Sequence, residues 1–193
     1  MKCIYLAPVG IVGDDILAAL ETSLSHAFRF EVRRTKPLGD PSYAFDGQRN
    51  QYSSTMILRE LVRLCPPDAV RLLAVTELDL FIPMLSFIYG QAQLDGRVSI
   101  VSLARLRQEF YTLPANRVLA LARLLKEGLH ELGHTFGLTH CIEKGCPMSL
   151  ATNIHQLDLK GSDFCNSCSI LVRESMDMIR KQTPGHFTPE DRK

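Results

Sequence analysis

The sequence predicts an α/β (α+β) domain: a mixed, mostly parallel, twisted sheet of about five strands with helices packed on it. Three observations carry that expectation. Short apolar runs alternate with segments of helical period through the first half of the chain, the pattern of parallel strands joined by helical crossovers. Asp95-Gly96, a hairpin signal, separates two strand-like segments, so one antiparallel pair joins the sheet. Hydrophobic residues at 46% and charged residues at 22% of 193 positions suffice for one well-formed core.

The elements follow in order. Ile4 to Val9 reads as a buried first strand, closed by Gly10 and Gly13. Asp14 or Asp15 caps a helix whose apolar positions Ile16, Leu17, Leu20, Leu24 and Phe28 keep helical spacing. Phe30-Glu31-Val32-Arg33 alternates and suggests a second strand, and turn formers fill Pro37 to Asn50. Ser53 or Ser54 opens a helix carrying Met56, Ile57, Leu61, Val62 and Leu64, which Pro66-Pro67 stops. Ala69 to Val75 is a third strand; Phe87 to Leu94 and Val98 to Leu103 form the hairpin. Pro114 begins a long helix with Val118, Leu121, Ala122, Leu125, Leu129 and Leu132 on one stripe. The pattern breaks after Gly137, and a cysteine-rich loop runs to Cys165. A last amphipathic stretch then carries Ile170, Leu171, Met176 and Ile179 into a polar tail.

A net charge of +1 gives no electrostatic case for nucleic acid or an anionic membrane. The small cluster Arg33, Arg34 and Lys36 reads as solvated surface. No apolar run approaches the roughly 18 residues of a bilayer-spanning helix. The N-terminal apolar stretch is too short for a secretory signal and lacks a small-residue cleavage site. A cytoplasmic monomer is expected. Cys3 and Cys65 stand alone and read as small structural thiols.

The chemistry concentrates in His130-Glu131-Leu132-Gly133-His134, continued by Gly137 and His140. Residues four apart share a helix face, so His130 and His134 can present their imidazoles to one ion. Glu131 stands one residue further round, beside that ion but not among its ligands, where its carboxylate can act as general base toward a zinc-activated water. Gly137 tolerates positive φ, which lets the chain turn and bring back His140 as third ligand. Three protein ligands leave a coordination position open, the arrangement of a catalytic rather than a structural zinc.

Cys141, Cys146, Cys165 and Cys168 form two closely spaced pairs. Four thiolates in this pattern suit a closed, structural zinc site. Two disulfides, or a redox role for Cys165-Asn166-Ser167-Cys168, are the alternatives. His140 and Cys141 are neighbours serving different ions, so the cysteine site would anchor the backbone that delivers the third histidine.

The pattern H-E-x-x-H-x-x-G-x-x-H is that of the metzincin metallopeptidases. By that resemblance Met148, in Cys146-Pro147-Met148, is the methionine that packs under the histidines without ligating. A metzincin motif running directly into Cys141, Cys146 and Met148, and later Phe164-Cys165-x-x-Cys168, resembles the archaemetzincins more closely still. Arg49 to Thr55, Thr76 to Leu80, Phe87 to Ala92 and Leu157 to Lys160 are also similar to segments of that family, so the resemblance spans roughly Met1 to Leu171. It implies one peptidase domain over residues 1–173, with the sheet and active-site helix in 1–137. The third ligand, methionine turn and cysteine site would then occupy 138–173, and the helix end and tail 174–193. It also implies two zinc ions, one catalytic and one structural, and hydrolysis of peptides, with aminopeptidase action on short ones included. Substrate would lie along the Phe87–Leu94 strand, where Gly90 and Ala92 are small enough for close backbone approach. Glu77 and Asp79 are candidate anchors for a free amine. The competing expectation is a zinc-stabilised peptide-binding or regulatory protein with little or no turnover.

Overall fold

The computed structural model describes residues 2–181. The chain begins with a βαβ unit. β1 (Cys3–Val9) leads into α1 (Asp14–Phe28), and β2 (Glu31–Arg34) returns parallel to β1 with Ile4 opposite Val32. α1 buries Ile16, Leu17, Leu20, Leu24 and Phe28, as its spacing indicates. Its N-cap, however, is Gly13. Asp14 and Asp15 lie in the first turn, where they complement the positive end of the helix dipole without capping it.

The segment expected as loop, Pro37 to Asn50, holds β3 (Phe45–Asp46); β4 (Gln51–Ser53) follows it and precedes α2 (Ser54–Leu64). α2 buries Ile57, Leu58 and Leu61, while Met56, Val62 and Leu64 are exposed. β5 (Ala69–Thr76) is the centre of the main sheet, and all 8 of its residues are buried because helices cover both faces. β6 (Leu80–Phe81) completes a small second sheet in the order β3-β4-β6. Strands of two or three residues leave no periodic signal, which is why the sequence does not announce them.

β7 (Gly90–Ala92) and β8 (Val98–Ser102) pair antiparallel about the Asp95-Gly96 turn. The main sheet runs β2-β1-β5-β8-β7, parallel except for β7 at its edge. The strand expected over Phe87–Leu94 is therefore shorter: only Gly90–Ala92 joins the main sheet, while Ile88 bridges to Leu80. Ile4, Leu6, Leu73, Val75 and Val101 face one core together with α1 residues; Ala7, Val9, Leu72, Ala74 and Ile100 face a second core against α2.

α3 (Arg117–Thr135) crosses the first face, capped by Asn116, whose side chain accepts from the Leu119 N–H at 3.0 Å. The expected apolar stripe holds in part: Leu129 and Leu132 are buried and Leu121 and Leu125 are half-buried against the core, whereas Val118 is 80% exposed, Ala122 faces solvent, and Ala120 and Leu124 are buried beside the stripe. From Glu127 to Gly133 every residue is buried, since the helix is covered both by the sheet and by the chain that follows it. That following chain contains α4 (Ile154–Leu159) and α5 (Asn166–Lys181). α5 buries Cys168, Val172 and Met176 and half-buries Ile179 but leaves Ile170 and Leu171 exposed, so the expected face holds only at Met176 and Ile179. It runs on past residue 173; the tail beyond Lys181 lies outside the described residues. Two ion pairs tie this region to α3: Arg123 grips Asp158 at 2.7 and 2.6 Å, and Lys160 meets Glu127 at 3.1 Å. Among the described residues, no helix is long and apolar enough to cross a membrane.

Candidate active site

The last turns of α3 bring His130, Glu131 and His134 to one face, and the helix then ends in a Schellman motif. Gly137 takes φ +89°, its N–H donates to the His134 carbonyl at 3.0 Å, and the Leu138 N–H donates to the Gly133 carbonyl at 3.1 Å. The turn carries His140 back, so the three imidazoles converge with ring centroids 4.5, 5.0 and 5.3 Å apart. The hairpin tip steadies this end of the helix, where the Asp95 N–H donates to the His134 carbonyl at 2.9 Å.

The hydrogen bonds of the rings fit a metal. His130 Nδ1 stands 2.8 Å from the Pro147 carbonyl and His134 Nδ1 stands 2.7 Å from the Leu138 carbonyl, so each Nδ1 carries the proton. Each Nε2 is then a bare lone pair, and the two lie only 3.1 Å apart. Two acceptors at that separation repel unless a cation lies between them. Zinc–nitrogen bonds of about 2.0–2.1 Å place tetrahedral ligands about 3.3 Å apart, close to this spacing. Burial, with Lys160 and His134 adding to it, holds the His130 imidazole down at about 3. Burial likewise lowers His134 and His140, although His140 is the most exposed of the three.

Glu131 is buried, and its Oε2 has no hydrogen-bond partner. Burial, reinforced by the neighbouring Glu127 and opposed by Lys160, raises this carboxyl well above its ordinary range. A partnerless buried carboxylate oxygen beside three convergent imidazoles is an acceptor waiting for a proton. Met148 is fully buried, and a side chain at Gly133 would collide with its sulfur, so the glycine inside the histidine motif is what admits the methionine beneath the helix.

The four clustered cysteines are free thiols, with Cys141 Sγ 3.8 Å from Cys165 Sγ and all four sulfurs within 4.8 Å of one another. Zinc–sulfur bonds of about 2.3 Å imply tetrahedral sulfurs about 3.8 Å apart, so this set also fits a zinc ion. A backbone hydrogen bond from Cys168 lowers the Cys165 thiol, while burial raises Cys146 and Cys168. The two clusters share a loop: the Cys141 N–H donates to the Met148 carbonyl at 3.0 Å, and the adjacent Pro147 carbonyl orients His130.

Gly90 lies directly against Glu131, and Ala92 shares its face of the edge strand β7. Glu77 and Asp79 are not free to anchor an amine. Arg105 holds Asp79 at 2.7 and 2.8 Å, and Arg107 holds Glu77 at 2.6 Å. Glu127 escapes the sequence reading, and Lys160 enters it only as the end of the Leu157–Lys160 segment, yet both are buried beside the site. The spacing of Glu127 and Glu131, four apart on one face, is the signal that would have found the first; only packing reveals the second.

The chain resembles known proteins over most of its length. The model of peptidase family M54 matches residues 43–174. An archaemetzincin of Methanocaldococcus jannaschii is 41% identical over 165 residues, covering 86% of this chain and 89% of that protein. A zinc-dependent peptidase from Methanocorpusculum labreanum superposes with TM-score 0.77 at 32% identity, covering 88% of this chain and 99% of that one. An archaemetzincin from Methanopyrus kandleri superposes with TM-score 0.76 at 33% identity, covering 91% and 96% respectively. Fold, histidine cluster and these likenesses define the class, a zinc metallopeptidase. Within that class the chain belongs to peptidase family M54, the archaemetzincins.

Proposed function

We propose that His130, His134 and His140 hold a catalytic zinc ion, that Cys141, Cys146, Cys165 and Cys168 hold a structural one, and that Glu131 is the general base in peptide-bond hydrolysis. The observation that carries this reading is the pair of unprotonated Nε2 atoms 3.1 Å apart beside the orphaned Oε2 of Glu131. When bound, the ion supplies Lewis acidity, acidifying water and polarising the scissile carbonyl. Glu131 accepts the proton of the attacking water and passes it to the leaving amine, so the carboxylate is regenerated in each turnover. Its raised proton affinity in the buried site suits it to both transfers. The Pro147 and Leu138 carbonyls fix the tautomers of His130 and His134, keeping each Nε2 lone pair aimed at the site.

Peptide is read as adding to the open edge of β7, with main-chain bonds at Gly90 and Ala92 aligning it beside Glu131. Short peptides are included, with an aminopeptidase mode that uses neither Glu77 nor Asp79. The test is metal analysis with a peptide-library digest, native chain against Glu131→Gln. Two zinc ions in both proteins, with cleavage reduced at least a thousandfold in the variant, is the expected outcome. Undiminished turnover by a metal-loaded variant would remove Glu131 from the mechanism. Two zinc ions without cleavage by native protein would favour a peptide-binding role.

A further inference from the structure

The cavity beside Glu131 contains a buried ion pair that the hydrolytic steps do not use. The cavity has a volume of about 330 Å³ and lies between α3, the Phe87–Gly90 segment and the residues that follow Met148. Leu85, Phe87, Ile88 and Leu150 give it apolar walls. Glu127 and Lys160 give it a charged end: their side chains are 5% and 1% exposed, with Nζ 3.1 Å from Oε1. Glu127 precedes Glu131 by four residues, about 6 Å along the helix axis, so the pair sits about one turn away from the general base.

The leaving amine belongs to the residue on the carboxyl side of the cleaved bond. Glu131 must reach that nitrogen to deliver its proton, so the side chain of that residue stands next to Glu131 and its cavity. We propose that this side chain enters the cavity, and that Lys160 and Glu127 select a carboxamide there, that of glutamine. The inference rests on the peptidase reading above.

The argument for an amide is one of charge and valence. The ammonium has three N–H donors and gives one to Glu127; the carboxylate has acceptor sites beyond the one it uses. A carboxamide meets both, its oxygen accepting from Lys160 and its NH₂ donating to Glu127. An acidic side chain would bring a third carboxylate into a space already lined by Glu127 and Glu131. A basic one would have to compete with Lys160 for Glu127, whose carboxylate Lys160 already holds at 3.1 Å. A leucine would strip water from both charges and replace none of its hydrogen bonds, which is costly in a buried site. The distance of one helical turn suits glutamine better than the shorter asparagine.

The experiment uses the full metal-loaded chain and peptides that differ only in the residue after the cut: Gln, Asn, Glu, Leu or Lys. Cleavage of the Gln peptide should exceed that of the Leu and Glu peptides at least tenfold in kcat/KM. The double variant Glu127→Leu with Lys160→Met replaces the pair by apolar residues of similar size, a change that folded proteins often tolerate. It should reverse the order of Gln and Leu. Equal cleavage of Gln, Glu and Leu peptides by the native chain, or an unchanged Gln preference in the double variant, overturns the proposal and leaves hydrolysis standing. Should no peptide be cleaved, the hydrolytic reading fails, and calorimetric binding of product-like peptides that begin with Gln, Glu or Leu decides the cavity chemistry. Binding at least tenfold tighter for Gln supports the proposal, and equal binding overturns it. The native comparison decides even if the double variant does not fold.

Discussion

A Cβ built on Gly90 would stand 2.6 Å from both Cγ and Oε1 of Glu131 and 2.7 Å from the carbonyl oxygen of Ile100. The Ile100 carbonyl belongs to the neighbouring strand and cannot give way, so β7 would have to shift away from it and Glu131 would have to move as well. Gly90 is read from the sequence as room for substrate backbone; its nearest neighbour in the fold is Glu131, the proposed general base. Gly90→Ala should therefore lower kcat by about a hundredfold, the usual effect of displacing a reacting group by about 1 Å, with zinc content unchanged. Steady-state kinetics alongside metal analysis checks this. A rise in KM with unaltered kcat would return Gly90 to the substrate alone.

Among the elements, the segment from His140 to Ser149 couples the two clusters. Cys141 pairs with Ser149 as an isolated parallel bridge, and its N–H bonds to the Met148 carbonyl, one residue beyond the carbonyl that orients His130. Cys165 and Cys168 sit just before and within α5, so a metal joining the four sulfurs would clamp this segment to that helix. Release of the clamp should loosen His140 and the Pro147 carbonyl together. Cys165→Ser with Cys168→Ser should weaken zinc binding at the histidines by about ten- to a hundredfold, read by competition with a chelator. Unchanged occupancy of the histidine site in a folded variant would show the clusters to be independent.

For the molecule as a whole, buried neutral histidines link stability to pH. His130 titrates at about 3 when folded, against about 6.5 in an unfolded chain. Below pH 6.5 the unfolded chain takes up a proton that the folded chain refuses, so acid favours unfolding. This contribution to stability is full above pH 6.5 and is lost as pH falls toward 3, amounting to about 2 kcal/mol at pH 5. His140→Ala, gently chelated so that the cysteine site keeps its metal, isolates the effect from zinc at the histidines. In its proton NMR titration the His130 ring should stay neutral down to pH 5; titration near 6.5 would mean that His130 is not held neutral.

The sequence by itself determined the sheet class, the βαβ start, α1 with its buried face, and both clusters of metal-binding residue types. These are written in local periods and spacings: four residues along a helix, two along a strand, short intervals between cysteines. Tertiary structure alone decided the rest. The buried face of α3 departs from a single stripe because two layers cover that helix, and the strand expected over Phe87–Leu94 is cut to Gly90–Ala92 by its pairing partners. Glu77 and Asp79 lose their candidate role to Arg107 and Arg105, which lie far from them in sequence and beside them in space. Lys160 reaches Glu127 across 33 positions. No local period encodes such a meeting; it arises only when the chain that supplies the cysteines folds back over α3 and burial forces each charge to find its partner.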